Sequence, residues 1–120
     1  MNKTIIISLF TFLTFANVNA AMNCSLEGSR YENITCTLNE VKKAEKEINI
    51  LVAEILGKLK KQESNKFTIE HKKWKEKLKS NIEKKEFDEG GSLGRLMRVN
   101  YKLDLLLNRI TELKDTKRAK

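Results

Sequence analysis

The sequence predicts an all-α protein: a small antiparallel three-helix bundle with one disulfide, after a cleaved signal peptide. Three observations predict it. Apolar residues recur at intervals of three and four along three long segments, which is the period of amphipathic helices. Proline is absent, and three of the five glycines fall within residues 90–94, so little interrupts the helices. Two cysteines stand twelve positions apart just behind an apolar leader.

Residues 1–20 are typical of a secretion signal. Lys3 supplies the basic start, an apolar stretch follows, and residues 18–20 (Val-Asn-Ala) offer a signal-peptidase site. The apolar stretch is interrupted by polar residues and is shorter than the roughly 20 residues that span a membrane. We predict cleavage after Ala20, with Ala21 as a neighbouring option. An uncleaved membrane anchor is the alternative, and we expect no stable membrane insertion after cleavage.

The surroundings of Cys24 favour a periplasmic or secreted protein without a lipid anchor. Lipid attachment requires a small residue directly before the cysteine, and here that residue is Asn23. In an oxidising compartment, Cys24 and Cys36 are expected to form a disulfide. A metal site would need further ligands, and the only histidine, His71, is remote in sequence. We therefore predict no metal and no cofactor.

The predicted mature chain is basic and long enough for one domain. Without Lys3 it carries 23 basic and 16 acidic residues, a net charge of +7. Such a charge often indicates nucleic-acid binding, but an exported protein rarely meets nucleic acid. Anionic envelope polymers or an acidic protein are better partners. We divide the chain into a signal peptide (1–20), a helical domain (21–114) and a basic, frayed tail (115–120).

The first helix is predicted over residues 37–61. Residues 37–40 (Thr-Leu-Asn-Glu) form a capping-box pattern, in which the threonine and glutamate side chains satisfy backbone amides at a helix start. An apolar stripe follows the pattern and consists of Val41, Ala44, Ile48, Leu51, Val52, Ile55 and Leu59.

A polar turn over residues 62–65 leads to the second predicted helix. Its apolar stripe consists of Phe67, His71, Trp74, Leu78 and Ile82. Trp74 is expected in the core, where a large aromatic side chain contributes most. The other faces carry Lys72, Lys73, Lys75, Lys77, Lys79, Lys84 and Lys85. We interpret these lysines as solvated surface.

Residues 86–94 break the helical pattern, since two adjacent glycines disfavour a helix. This segment is acidic and glycine-rich on an otherwise basic chain. It is either a helix connection or a recognition loop, because glycine lets a partner approach the backbone closely. Ser92 is able to cap a third helix over residues 93–114. The stripe of that helix consists of Leu96, Val99, Leu103, Leu106, Ile110 and Leu113.

The sequence does not indicate an enzyme. No serine stands in a nucleophile-elbow pattern, and oxidised cysteines leave no Cys–His pair. The carboxylates of the 86–94 segment lack a neighbour that would perturb a pKa, so they are interpreted as solvated. A histidine on an apolar stripe, such as His71, is expected to be packed and hydrogen-bonded.

Taken together, the ordered pattern resembles the LprI-type lysozyme-inhibitor family. The resemblance begins with Cys24, Cys36 and the Ala-Glu-Lys-Glu-Ile-Asn segment at residues 44–49. It continues through Trp74, the Glu-Gly-Gly-Ser segment at residues 89–92, and Arg109 with Leu113. It covers residues 24–113, and no single motif within it is decisive.

The chain departs from the family pattern at three places. Members often carry a second cysteine pair, and the corresponding positions here are Ile82 and Tyr101, which could replace the bridge by an apolar contact. His71 stands where many relatives have glutamine. The lipid anchor of some relatives is missing.

The resemblance implies a binding protein that inhibits lysozyme or another peptidoglycan hydrolase. A flexible polar loop is the natural element to enter a glycan-binding cleft. The candidate inhibitory residues are therefore Glu86, Asp88, Glu89, Gly90, Gly91 and Ser92. Trp74, Ile82, Tyr101 and Arg109 are expected to be structural.

Two other functions stay open at this point. Common animal lysozymes are basic, so a chain of net charge +7 is repelled by them at long range. The target could instead be an acidic wall-degrading effector from a rival bacterium, against which this protein gives immunity. The third possibility is a structural envelope protein whose lysines bind anionic polymers, with an affinity that falls steeply with salt.

Overall fold

A computed structural model of the chain describes Cys24 and residues 29–86 and 90–120. These residues form three helices: α1, Arg30–Lys58; α2, Lys61–Lys84; and α3, Gly91–Ala119. The described part of the chain contains no strand. The predicted all-α fold is confirmed. The proposed signal peptide lies outside the described residues.

The helices run up, down and up. Arg30 contacts Ser92 near the starts of α1 and α3, and Lys58 donates to the carbonyl of Lys117 near their ends, so these two helices are parallel. α2 runs antiparallel to both. The backbones of α1 and α3 approach each other most closely. α2 contacts α3 through long side chains, which hold helices further apart.

The core lies on the predicted stripes. Ile55, Leu106 and Leu113 are the most deeply buried apolar side chains. Around them lie Val41, Ala44, Ile48, Leu51, Phe67, Leu103 and Ile110, with Trp74, Leu78 and Val99 packed against this cluster. Burial of these side chains is the main favourable contribution to folding, since each contributes about 1.5–3 kcal/mol.

α1 begins seven residues before the predicted start. Its N-cap is Ser29, whose hydroxyl accepts from the backbone N–H of Glu32 at 3.2 Å. Thr37 is buried inside the helix instead, and its hydroxyl donates to the carbonyl of Asn33 at 2.9 Å. The predicted capping box at residues 37–40 is therefore wrong. Residues 29–32 (Ser-Arg-Tyr-Glu) carry the same sequence pattern, and this earlier copy starts the helix.

The reversal between α1 and α2 is shorter than predicted. Leu59 and Lys60 make it, and Lys60 accepts the first backbone bond of α2 from Ser64 at 2.8 Å. The predicted polar turn at residues 62–65 is helical. This segment contains no glycine or proline, so nothing local stops the helix there.

α3 is longer than predicted at both ends. It begins at Gly91 and continues through Ala119, so the expected frayed tail is helical almost to its end. Lys117 forms an ion pair with Glu54 of α1, and this contact holds the last turns in place. The N-cap of α3 also differs from the prediction: it is Gly90, and Ser92 lies within the first turn of the helix.

Candidate functional site

The predicted recognition loop joins the end of α2 to the start of α3. Glu86 is exposed and follows two residues after the end of α2. Asp88 and Glu89 lie outside the described residues. Gly90 and Ser92 are exposed, at and just after the start of α3. The structure thus places Glu86 just after α2 and Ser92 in the first turn of α3, at the same end of the molecule.

Gly91 is at the one position in the described part of this loop where glycine is required. Its φ is +61°, in the left-handed region that other residues rarely adopt. Gly90 has an extended conformation with φ −95°, which any residue adopts. The chain therefore enters α3 through a bend that depends on Gly91.

The first turns of α1 and α3 are joined by side chains. The Arg30 guanidinium donates to the Ser92 hydroxyl at 3.5 Å, a long hydrogen bond. Beside it, Tyr31 is the most exposed large hydrophobic side chain in the described residues, at 77%. Exposed tyrosines of this kind are frequent at the centres of protein interfaces.

The disulfide lies at this same end. Cys24 and Cys36 are bonded, as predicted, with their Cα atoms 5.5 Å apart; Cys24 is buried and Cys36 is half-buried. We call the region formed by this bridge, the start of α1, the end of α2 and the start of α3 the disulfide end. A disulfide is typical of exported proteins. It ties the segment before α1 to the second turn of that helix.

A second notable group lies where α2 faces α3. The rings of Phe67, His71 and Trp74 form a ladder, with centroid distances of 6.2 Å and 5.4 Å and nearly parallel planes. Arg109 of α3 places its guanidinium 5.0 Å from the centre of the Trp74 ring, a cation–π contact. Arg109 also forms an ion pair with Glu112 at 3.1 Å.

His71 is held neutral within this ladder. Its Nδ1 lies 3.1 Å from Nη2 of Arg109, and arginine only donates, so Nδ1 accepts and the proton is on Nε2. Burial, followed by the nearby charges of Arg109 and Lys75, lowers the pKa of His71 to about 4. A neutral, 7% exposed imidazole with this partner is a packing element, as its place on the stripe predicted.

Arg109 contacts the aromatic ladder from α3, although its position is not part of the predicted apolar stripe of that helix. Its side chain is 13% exposed, and its Nε is buried without a hydrogen-bond partner among the described residues. The family resemblance pointed to Arg109, whereas composition and periodicity did not. The sequence signal was weak because Arg109 flanks the stripe formed by Leu106 and Ile110.

The two positions of the missing cysteine pair lie near the disulfide end. Ile82 is half-buried on α2, and Tyr101 is half-buried on α3. The Lys85 ammonium lies 5.4 Å from the centre of the Tyr101 ring, so the end of α2 is close to α3 at this level. A direct apolar contact between Ile82 and Tyr101 stays a prediction.

Two shallow grooves flank the contact between α2 and α3. One has a volume of about 210 Å³ and lies beside Trp74 and Arg109. The other has a volume of about 280 Å³ and is lined by Lys75, Leu78, Lys79, Ile82, Glu83 and Lys102.

The residues that the structure describes contain neither a metal-ligand cluster nor a membrane-spanning helix. No three His, Cys, Asp or Glu side chains within them cluster as metal ligands would. No described helix has both the length and the apolar character needed to cross a bilayer.

Comparison with known proteins completes the description of the site. Searches among curated proteins and among solved structures gave no match. A family model described as "Lysozyme inhibitor LprI" matches residues 21–113, which include the disulfide, the loop and the aromatic ladder. Because the match spans most of the chain, this protein belongs to the LprI lysozyme-inhibitor family.

Proposed function

We propose that this protein is an exported, non-enzymatic inhibitor that binds a lysozyme or a related peptidoglycan hydrolase. The observation that carries the proposal is the family match over residues 21–113. The disulfide between Cys24 and Cys36 supports export, because such bridges persist in oxidising compartments. The signal peptide proposed for residues 1–20 and cleavage near Ala21 belong to the same proposal.

We place the binding surface at the disulfide end, with residues 86–90 and the first turn of α3 entering the cleft of the enzyme. The loop is held by helices on both sides, so it loses less conformational entropy on binding than a free tail. Its carboxylates give a basic target a local region of opposite charge. Ser92 and Arg30 supply hydrogen-bonding groups at the disulfide end.

Tyr31 extends this surface. A side chain that is 77% exposed makes little contribution to the fold, yet a tyrosine covers a large area in an interface at a low entropy cost. Tyr31→Ala is expected to leave stability unchanged. It should weaken the complex at least about tenfold, as a moderate hot spot does.

The test of the loop is a pull-down with the purified protein against lysozymes of several types and against wall-degrading effectors. A quadruple alanine variant at Glu86, Asp88, Glu89 and Ser92 should stay folded and lose the captured enzyme. The matched control removes three carboxylates and one serine from α2 (Glu63, Glu70, Glu76 and Ser80), and it should keep the enzyme.

Two results would contradict the choice of surface. The first is full affinity in the loop variant. The second is loss of the enzyme on reversing the charges of Lys73, Lys77 and Lys84, which would place the interface on α2. An effector of a rival bacterium as the captured enzyme would assign the inhibition to immunity.

A further inference from the structure

Ion pairs are distributed unevenly over the three helices. All six ion pairs among the described residues lie within or between α1 and α3. Three of them join the two helices, pairing Glu45 with Lys102, Glu47 with Lys114 and Glu54 with Lys117. Within the described residues, the lysines of α2 take part in none. α2 therefore carries eight lysines outside these ion pairs, together with four carboxylates (Glu63, Glu70, Glu76 and Glu83).

The α2 lysines near the second groove lie in a row. Lys72, Lys75 and Lys79 follow each other at intervals of three and four, so they share one side of the helix. The row spans about 10 Å, at 1.5 Å per residue. All three residues are exposed. The charge of Lys75 also helps to lower the pKa of His71, after burial and Arg109.

The lysine row lies along the edge of the groove of about 280 Å³ between α2 and α3. Lys75 and Lys79 line one wall, and Lys102 lines the other. Lys102 is only loosely paired, at 3.9 Å from Glu45. Leu78 and Ile82 supply apolar lining. Glu83 is the single carboxylate in the groove.

We propose that this groove binds a linear polyanion, a chain of phosphate groups laid along α2. Three ammonium groups on two helices attract several successive negative charges, whereas a single small anion would contact one or two of them. Lysine binds phosphate as a point charge, so it accepts any geometry of the chain. Binding in the groove would retain the protein at an anionic envelope polymer while its loop remains free.

A membrane surface fits the same region less well. A helix that lies on a bilayer needs a broad apolar face turned outward. Ile69, 55% exposed, is the one large apolar side chain that α2 turns to solvent. The inference concerns other residues than the inhibitory loop, so it stands or falls independently of the proposed inhibition.

The test is the affinity of the purified protein for inorganic polyphosphate of defined length, measured calorimetrically at three salt concentrations. Lys75→Gln with Lys79→Gln should weaken binding at least about tenfold. It should also lower the slope of log K against log salt by about 1.4, because each lost phosphate contact contributes about 0.7 for a single-stranded chain. The control is Lys42→Gln with Lys46→Gln, two exposed lysines of α1 at the same spacing. It changes the net charge equally and should shift the affinity less than about twofold.

Glu83 provides a test of opposite sign. Glu83→Gln removes the one carboxylate of the groove and should strengthen polyphosphate binding about two- to threefold. Glu76→Gln, an equally exposed α2 position outside the groove lining, should leave it unchanged.

Three results would overturn the proposal. Equal losses in the two lysine pairs would mean that net charge alone attracts the polymer. An equal increase in polyphosphate affinity in Glu83→Gln and Glu76→Gln would also mean that net charge alone attracts the polymer. Binding to vesicles of anionic lipid without binding to polyphosphate would assign the surface to a membrane.

Discussion

Burial, followed by the charge of Arg109, keeps the imidazole of His71 neutral, and the contact with Arg109 sets its tautomer. Arginine cannot accept a hydrogen bond, so the 3.1 Å contact exists only while Nδ1 is unprotonated. Protonation of His71 would remove its hydrogen bond with Arg109. It would also place two positive charges, the imidazolium and the guanidinium, next to each other between α2 and α3. A single proton on His71 is therefore coupled to the packing of two helices.

This coupling predicts a pH dependence of stability. The pKa of His71 is lowered from 6.5 to about 4, so the unfolded chain binds the proton more readily than the folded one. The contribution is fully present above pH 6.5 and is lost as the pH falls towards 4, with a maximum loss of about 3 kcal/mol. His71→Gln keeps an acceptor for Arg109 and does not titrate.

Urea titrations between pH 7 and pH 4 measure this loss. The wild-type protein should lose more stability than the His71→Gln variant across that range. The same pH profile in both proteins would show that His71 is not the titrating group.

Trp74 carries contacts on its ring from both helices. His71 stacks on it from α2, and the Arg109 guanidinium lies over it from α3. Because Trp74 is half-buried, we expect Trp74→Ala to cost about 3 kcal/mol, at the lower end for large aromatic residues. Denaturant titration measures the cost, and a loss below about 1 kcal/mol would place Trp74 outside the packed interface.

At the scale of elements, the start of α3 depends on one backbone angle. Gly91 has φ +61° and Gly90 has φ −95°, and a Cβ atom at either position would meet open space. Gly91→Ala should therefore cost about 1–2 kcal/mol through backbone strain alone. Gly90→Ala is the matched control, and it should be neutral or slightly stabilising because alanine restricts the unfolded chain. Equal effects in thermal unfolding would contradict the assigned conformation.

The disulfide is the other local constraint, at the start of α1. Closing a loop of about twelve residues restricts the unfolded chain and contributes about 3 kcal/mol. A double Cys24→Ser and Cys36→Ser variant should lose stability by about that amount and remain helical. An unchanged denaturation midpoint would show that the bridge does not constrain the fold.

The spacing of the apolar residues predicted the three helices correctly. The capping patterns did not predict correctly where those helices begin and end. The stripes through Ile48, Phe67 and Leu106 lie in the core because only one face of each helix can be buried. The start of α1 was misplaced because the pattern that begins at Thr37 repeats the one at Ser29, and local pattern alone does not choose between them. The last turns of α3 are joined to α1 by the ion pair between Lys117 and Glu54, a long-range contact that no local pattern reveals.

The candidate sites were also predictable where they depend on local sequence and unpredictable where they depend on long-range contacts. The disulfide followed from the leader and from the two cysteines, which allow only one pairing within the chain. The loop was visible as a break in periodicity, but the contact of Ser92 with Arg30 depends on how helices 62 residues apart in sequence meet. Arg109 was found through the family resemblance, because a charged residue beside a stripe resembles ordinary surface.

At the scale of the whole molecule, the two proposed functional surfaces use different residues. The carboxylates of α1 neutralise cations of α3, while the lysines of α2 have no such partners among the described residues. The proposed inhibitory loop lies at the disulfide end, and the proposed polyanion groove lies along α2.

The central claim is that the protein blocks a peptidoglycan hydrolase without catalysing a reaction itself. The most direct measurement titrates the purified protein into a lysozyme that it captures and follows the turbidity of a peptidoglycan suspension. Hydrolysis should stop at a 1:1 ratio of protein to enzyme, and the loop variant should leave it unaffected. Hydrolysis that continues at the original rate with every captured enzyme saturated would contradict the account.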